Sequence, residues 1–263
     1  MLTYPDIDPV ALDLGAVKVH WYGLMYLFGF LGAWWLGSVR ARDKKSGWNR
    51  QQVSDVIFYG ALGVILGGRI GYILFYNFDL FLDNPLIILR IWEGGMSFHG
   101  GMLGVFVALY LFGRKTGKTF FQVSDFIAPM VPIGLGFGRL GNFINKELWG
   151  RPADSSVPWL MDFGDHIARH PSSLYQALTE GLLLFVILLV FSSRPRPVMA
   201  VSGVFLLAYG VFRFITEFFR TPDAHIGFVM FDWMTKGQQL SVPMIIAGLI
   251  ILFLAYKKQT VKK

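Results

Sequence analysis

Seven long apolar stretches constrain this chain more than anything else in it. A helix needs about 20 largely apolar residues to cross a bilayer, and candidates fall at Tyr22–Val39, Val53–Phe75, Ser97–Gly113, Val123–Phe143, Ser173–Ser192, Ala200–Phe218 and Ser241–Tyr256. With 54% hydrophobic and only 16% charged residues among 263, the remaining chain cannot solvate so much apolar surface in water. The sequence therefore predicts an all-α, polytopic integral membrane protein of seven transmembrane helices, a single transmembrane domain spanning 1–263. The fourth stretch carries Pro129, Pro132 and four glycines. Such breakers are tolerated where backbone is buried in protein or lines a cavity, so a bent or partly re-entrant segment is expected there.

Lysine and arginine alternate from connection to connection, and that bias sets orientation. Arg40, Arg42, Lys44, Lys45 and Arg50 fall in one connection, Arg114, Lys115 and Lys118 in another, Arg194 and Arg196 in a third, and Lys257, Lys258, Lys262 and Lys263 in the tail. The opposite side holds Lys18, Arg90, Lys146, Arg151, Arg169, Arg220 and Lys236, so 14 basic residues face 7. The N-terminus is expected outside and the C-terminus inside. The opening "MLTYPDIDPV" has neither a basic n-region nor an apolar stretch, so the first membrane helix is expected to direct insertion. The net charge of +7 follows from the inside loops and gives no reason to expect nucleic acid. With no cysteine in the chain, any thiol that reacts here comes from a partner.

Arg69, Arg139, Glu180, Arg213 and Glu217 fall within or at the ends of apolar stretches. An arginine at the centre of a membrane helix costs about 3 kcal/mol on insertion scales, so each should face a partner or a polar cavity. Snorkelling to headgroups is one reading, suited to Arg220 and to Arg139 at its helix end. Arg213 fits it less well, because "YGVFRFITEFF" continues beyond it and places Glu217 one turn later. An anion site and a structural network of ion pairs both remain open on this pattern.

"GGMSFHGG", Gly94 to Gly101, sets His99 among glycine pairs at the start of the third stretch. Glycine admits close approach of a ligand or a second helix, and histidine titrates near neutrality and can serve as a base. A satisfied histidine at a helix entrance explains the same residues. In "HWYGLMY" Tyr26 lies one turn below Tyr22 and needs an acceptor for its hydroxyl. "HIARH", His166 to His170, has zincin spacing without the following glutamate, so no metal site is expected. "LGGRIGY" echoes "FGRLGN", but a short glycine-rich match between membrane helices is weak ground for a repeat. Walker A, GxSxG and dinucleotide patterns are missing from the sequence, and "GGMSFHGG" lacks the final glycine of the hydrolase elbow.

The polar run "GRLGNFINKELWGR", Gly138 to Arg151, resembles the signature of bacterial prolipoprotein diacylglyceryl transferases almost throughout. The resemblance extends in order to "HWYGLMY", "SFHGG", "RHPSSLYQA", "YGVFRFITEFFR" and "GQQLSVPM". Departures are Lys146 in place of the usual glycine, and Ser173 and Gln176 in place of glutamine and glutamate.

The resemblance implies seven transmembrane helices in the bacterial inner membrane around a central lipid-accessible cavity, with the active site facing the periplasm. It also implies transfer of diacylglyceryl from phosphatidylglycerol to the lipobox cysteine of a preprolipoprotein signal peptide, without cofactor or metal. Arg139 and Arg213 are then expected at the lipid phosphate, with His99 as the candidate base for the thiol, and Tyr26, Asn142, Glu147, Gly150, Tyr209, Glu217 and Arg220 around the substrates. Glu147 and Glu217 are expected to orient arginines, and the periplasmic loop 146–172 to cover the site. A lipid or anion transporter of the inner membrane is the competing class, distinguished by moving its cargo without covalent change.

Overall fold

The computed structural model describes residues 1–15, 17–91, 94–154, 157–222 and 226–260. Ser155 and Ser156 of the 146–172 connection, and Lys262 and Lys263 of the tail, lie outside them. The described residues are mostly helical. They fall into two compact units, one of residues 1–33 and 125–263, the other of residues 34–124.

In the first unit, helix α1 (Trp21–Arg40) contributes its first part, to residue 33. The fourth apolar stretch forms α5 (Phe120–Ile127) and α6 (Val131–Ile144), bent by 52° at the break. The bend falls at Ala128–Met130, around Pro129, and Pro132 lies in the first turn of α6, where its missing N–H costs nothing. One continuous span, Ser172–Ser192, comprises α7 (Ser172–Gln176), a π-helical segment (Ala177–Leu183) and α8 (Leu184–Ser192). It is followed by α9 (Ala200–Thr216) and α10 (Lys236–Thr260). Asp125 ties α5 to the start of α9 by accepting from the N–H groups of Met199 and Ser202 and from the Ser202 hydroxyl, at 2.7, 2.8 and 2.6 Å.

Glycine sets how closely these helices approach. A Cβ on Gly181 would lie 2.7 Å from the Gly136 Cα, so α6 and the π-helical segment meet backbone to backbone. Gly248 on α10 meets Leu207 and Gly203 of α9 in the same way, at 2.6 and 2.9 Å. Small residues at contact points are how membrane helices gain van der Waals packing where lipid supplies no hydrophobic drive. The apolar core lies where Leu184 and Leu188 pack against Ala128 and Val201.

The second unit is built on α2 (Arg50–Tyr76) and α4 (Phe98–Thr116). Asn49 and Gln52 form a capping box at the start of α2, and Ser97 caps α4 by accepting from the Gly100 N–H. Gly63, Gly67 and Gly71, one turn apart on α2, meet Gly100 and Gly104 on α4 through their backbones. The glycines of "LGGRIGY" and "SFHGG" thus serve each other as a helix contact. Arg69 is buried and donates to the carbonyls of Ile87, Ile88, Gly94 and Gly95. It fastens the connection that holds the short helix α3 (Phe78–Asp83), and this use has no counterpart at Arg139.

Among the described residues, four helices can cross a membrane by length and composition: α1, α2, the Ser172–Ser192 span and α10. The bent α5–α6 pair makes five if it counts as one span. Helix α4 has 19 residues with Arg114 and Lys115 in its last turn, and α9 has 17. Only 17% of the apolar window of α10 is buried within the protein. Large apolar side chains such as Phe253, Leu249 and Ile246 are exposed there, a surface suited to lipid rather than water. Small sheets add to the helices: β1 (Leu2–Thr3), β4 (Met161–Asp162) and β5 (Ala168–Arg169) form one, β2 (Val10–Asp13) pairs with β3 (Lys18–His20), and β6 (Phe228–Met230) pairs with β7 (Met234–Thr235). Pieces of two to four residues carry too little alternation to be read from a sequence.

Candidate active site

Four charged residues on apolar helices of the first unit, Arg139, Glu180, Arg213 and Glu217, converge. Arg139, near the end of α6, donates from Nε and Nη2 to one oxygen of Glu180 at 3.2 and 3.0 Å. The other Glu180 oxygen accepts from the Thr216 hydroxyl at 3.4 Å and lies 3.6 Å from Arg213 Nη1. Arg213 Nη2 pairs with Glu217 at 2.9 Å, and Glu217 accepts from Arg220 at 3.1 Å. Three guanidinium groups therefore share two wholly buried carboxylates. Arg213 Nη1 is itself buried and makes no hydrogen bond. The hydroxyl of Tyr209 on α9 interacts with Arg139 beside Glu180 and Arg213.

Local sequence explains this convergence. Arg213 and Glu217 are one turn apart, and Arg220 follows on the same side. Glu180 reaches Arg139 because the Gly136–Gly181 contact leaves no side chain between the two backbones. A Cβ on Gly237, at the start of α10, would lie 2.7 to 2.9 Å from the Glu217 carboxylate. That position must be glycine for Glu217 to stay where it is.

At the end of α6, Asn142 and Asn145 donate to the two oxygens of Glu147 at 2.8 and 3.1 Å. The expectation that Glu147 orients an arginine differs from this geometry, in which its hydrogen-bond partners are the two asparagines. The loop beyond α6 is held to α7, with Ser172 donating to the Leu148 carbonyl and Ser173 to the Glu147 carbonyl at 2.6 and 3.2 Å. Gly150 pairs with Arg220 through the backbone and packs on the His170 carbonyl, leaving no room for a side chain. Tyr26 lies with its hydroxyl 3.4 Å from that of Tyr22, whose ring packs on Gly141 of α6.

Arg220 also lines a cavity of about 390 Å³ with Lys146, Trp149 and Arg169. Lys146 lies in the left-handed region, φ 54°, which explains a glycine at this place in the signature. It pairs with Asp6 at 2.9 Å, and that hydrogen bond holds the Asp6 carboxyl below the ordinary range and raises the Lys146 ammonium. Arg169 likewise lowers the Asp165 carboxyl by donating to it, while burial lowers the His170 imidazole.

Arg139, Arg213, Asn142, Glu147, Tyr209, Glu217, Gly150, Arg220 and Tyr26 all belong to the first unit. His99 belongs to the second, exposed in the first turn of α4 with its ring edge-on to Phe98. Glu180, Thr216 and Gly237 join the cluster without being among the site residues expected from the sequence. A glutamate inside "YQALTEGLLLF" is a signal for the first of them. Thr216 and Gly237 lie inside "YGVFRFITEFFR" and "GQQLSVPM", but neither carries a charge that would single it out.

A cluster of arginines oriented by carboxylates, with a donor to spare, can bind an oxyanion and stabilise charge that grows on it. The family model for prolipoprotein diacylglyceryl transferase matches residues 9–254. Proteins named phosphatidylglycerol--prolipoprotein diacylglyceryl transferase are 60% identical in Acinetobacter baumannii (strain ACICU) and 59% in Acinetobacter baylyi, each covering 98% of this chain and 96% of the relative. The one from Pseudomonas aeruginosa (strain LESB58) is 56% identical, covering 98% and 97%. The chain belongs to the prolipoprotein diacylglyceryl transferase family.

Proposed function

We propose that this protein transfers the diacylglyceryl group of phosphatidylglycerol to the lipobox cysteine of a preprolipoprotein signal peptide. The cysteine sulfur forms a bond to the terminal glyceryl carbon, the bond from that carbon to the phosphate oxygen breaks, and glycerol phosphate leaves with the electron pair. The thiol proton passes to a base. One observation carries the reading: Glu180 and Glu217 are each shared between two arginines, and Arg213 Nη1 stays free of hydrogen bonds in a buried setting. Guanidinium groups fixed in this way suit a phosphodiester, whose negative charge localises on the leaving oxygen as the bond breaks.

Within this proposal Arg139 and Arg213 hold the phosphate, Glu180 and Glu217 aim them, and Tyr209 and Arg220 complete the wall. Asn142, Glu147, Gly150 and Tyr26 shape the outer end. His99 serves as the base for the thiol, which is mostly protonated at neutral pH with a pKa of about 8.5. Seven spans, counting α4 and α9, would place the N-terminus and the site on the periplasmic side of the inner membrane. Both substrates would enter from the lipid plane into a central cavity. The charge bias between connections supports this orientation.

The test uses purified protein in nanodiscs with phosphatidylglycerol and a lipobox peptide. The peptide should gain one diacylglyceryl mass, with an equal amount of glycerol phosphate released. Folded protein that leaves the peptide unmodified would overturn the proposal.

A further inference from the structure

Ser172, Ser173, Gln176 and Glu180 form a buried polar stripe along the Ser172–Ser192 span. Side chains three and four residues apart on a helix share a face. Ser172 and Ser173 are satisfied by the carbonyls of Leu148 and Glu147 at one end of the stripe, and Glu180 by Arg139 and Thr216 at the other. Gln176 sits between them, one turn from each. It is wholly buried, and neither its Nε2 nor its Oε1 has a hydrogen-bond partner. A buried amide with both ends unsatisfied destabilises a fold, and an apolar side chain of the same volume would avoid that loss. The π-helical segment starts at the next residue, a local irregularity often found at functional sites.

We infer that Gln176 is a specificity-determining residue that binds the hydroxylated headgroup of the lipid donor. The inference rests on the transferase reading above. With the phosphate on Arg139 and Arg213, the headgroup beyond it runs along the stripe toward the Asn142–Glu147 end. A primary amide is matched to a glycerol headgroup there: Oε1 accepts from a hydroxyl and Nε2 donates to a hydroxyl or phosphate oxygen. A site built to hydrogen-bond a substrate hydroxyl rejects the analogue that lacks it, because its own polar groups are then left buried and unpaired.

The test compares kcat/KM for phosphatidylglycerol and phosphatidylethanol, which share the phosphodiester charge and differ in the headgroup hydroxyls, with one lipobox peptide in nanodiscs. Wild-type protein should favour phosphatidylglycerol by about tenfold or more. In Gln176→Leu this preference should collapse toward unity with the phosphatidylethanol rate largely kept, while Gln176→Glu, which retains the acceptor, keeps most of it. If Gln176→Leu does not fold, Gln176→Met takes its place in the comparison. An unchanged preference in the apolar variant, or none in wild type, overturns the role of Gln176 alone, whereas wild-type protein that modifies no peptide with either lipid overturns the transferase reading as well.

Discussion

Replacing Glu180 by glutamine removes one charge from the centre of the arginine cluster with almost no change of shape. The carboxylate accepts two hydrogen bonds from Arg139 at 3.0 and 3.2 Å, one from Thr216 at 3.4 Å, and lies 3.6 Å from Arg213. Breaking a buried ion pair by removing one partner costs about 3–5 kcal/mol. Glutamine keeps one acceptor oxygen, so about 2–3 kcal/mol is expected, divided between lower stability and arginines that no longer aim at the phosphate. Since about 1.4 kcal/mol corresponds to tenfold in rate, a share of that size in the transition state lowers kcat/KM by about 10–100-fold. The assay measures kcat and KM for phosphatidylglycerol at fixed lipobox peptide, with the thermal unfolding midpoint of the same preparation. Wild-type kcat/KM and an unchanged midpoint in Glu180→Gln would refute the positioning role of this carboxylate.

Gly237→Ala drives a Cβ to within 2.9 Å of the Glu217 carboxylate, so the Arg213–Glu217 pair must shift. Turnover should fall about tenfold, as expected for small displacements of positioning groups, and full activity would show that Glu217 has freedom to move. Arg69→Met leaves the carbonyls of Ile87, Ile88, Gly94 and Gly95 without their donors. Denaturation should reveal a loss of about 2–4 kcal/mol that Arg69→Lys does not restore, because one ammonium cannot serve carbonyls spread around a planar fork. A stable Arg69→Met would contradict the fastening role. Lys146→Gly relieves a left-handed backbone at φ 54° and gives up an ion pair with exposed Asp6. Its unfolding midpoint should be equal to or above that of wild type, and a clear fall would give the Asp6 pair more weight than its exposure allows.

Charges inside apolar runs make much of the site legible in the sequence. Arg139, Arg213, Glu180 and Glu217 stand out because hydrocarbon penalises each of them, and helical spacing alone pairs Arg213 with Glu217. The partner of Glu180 is not legible in this way. Arg139 is 41 residues away, and the two meet only because Gly136 and Gly181 let their helices touch. Gly237 is hidden for a similar reason, since its importance lies in the space it leaves for a carboxylate on another helix. The glycines around His99 show the converse difficulty: a pattern suited to ligand approach serves as the contact between α2 and α4. Helix limits agree with the apolar stretches to within a few residues, apart from the longer α10 and the break in the fourth stretch. The place of that break follows from Pro129, but its angle depends on packing.

The central claim is that Arg139 and Arg213 bind the phosphate of the lipid donor. Equilibrium binding of a short-chain phosphatidylglycerol to the purified protein, without peptide, measures this apart from chemistry. Removing a charge-assisted contact worth about 1.5–3 kcal/mol should weaken binding by about 10–100-fold in both Arg139→Gln and Arg213→Gln, with a matching loss of peptide modification. Unaltered lipid affinity in both folded variants would contradict the account and move the phosphate site elsewhere in the protein.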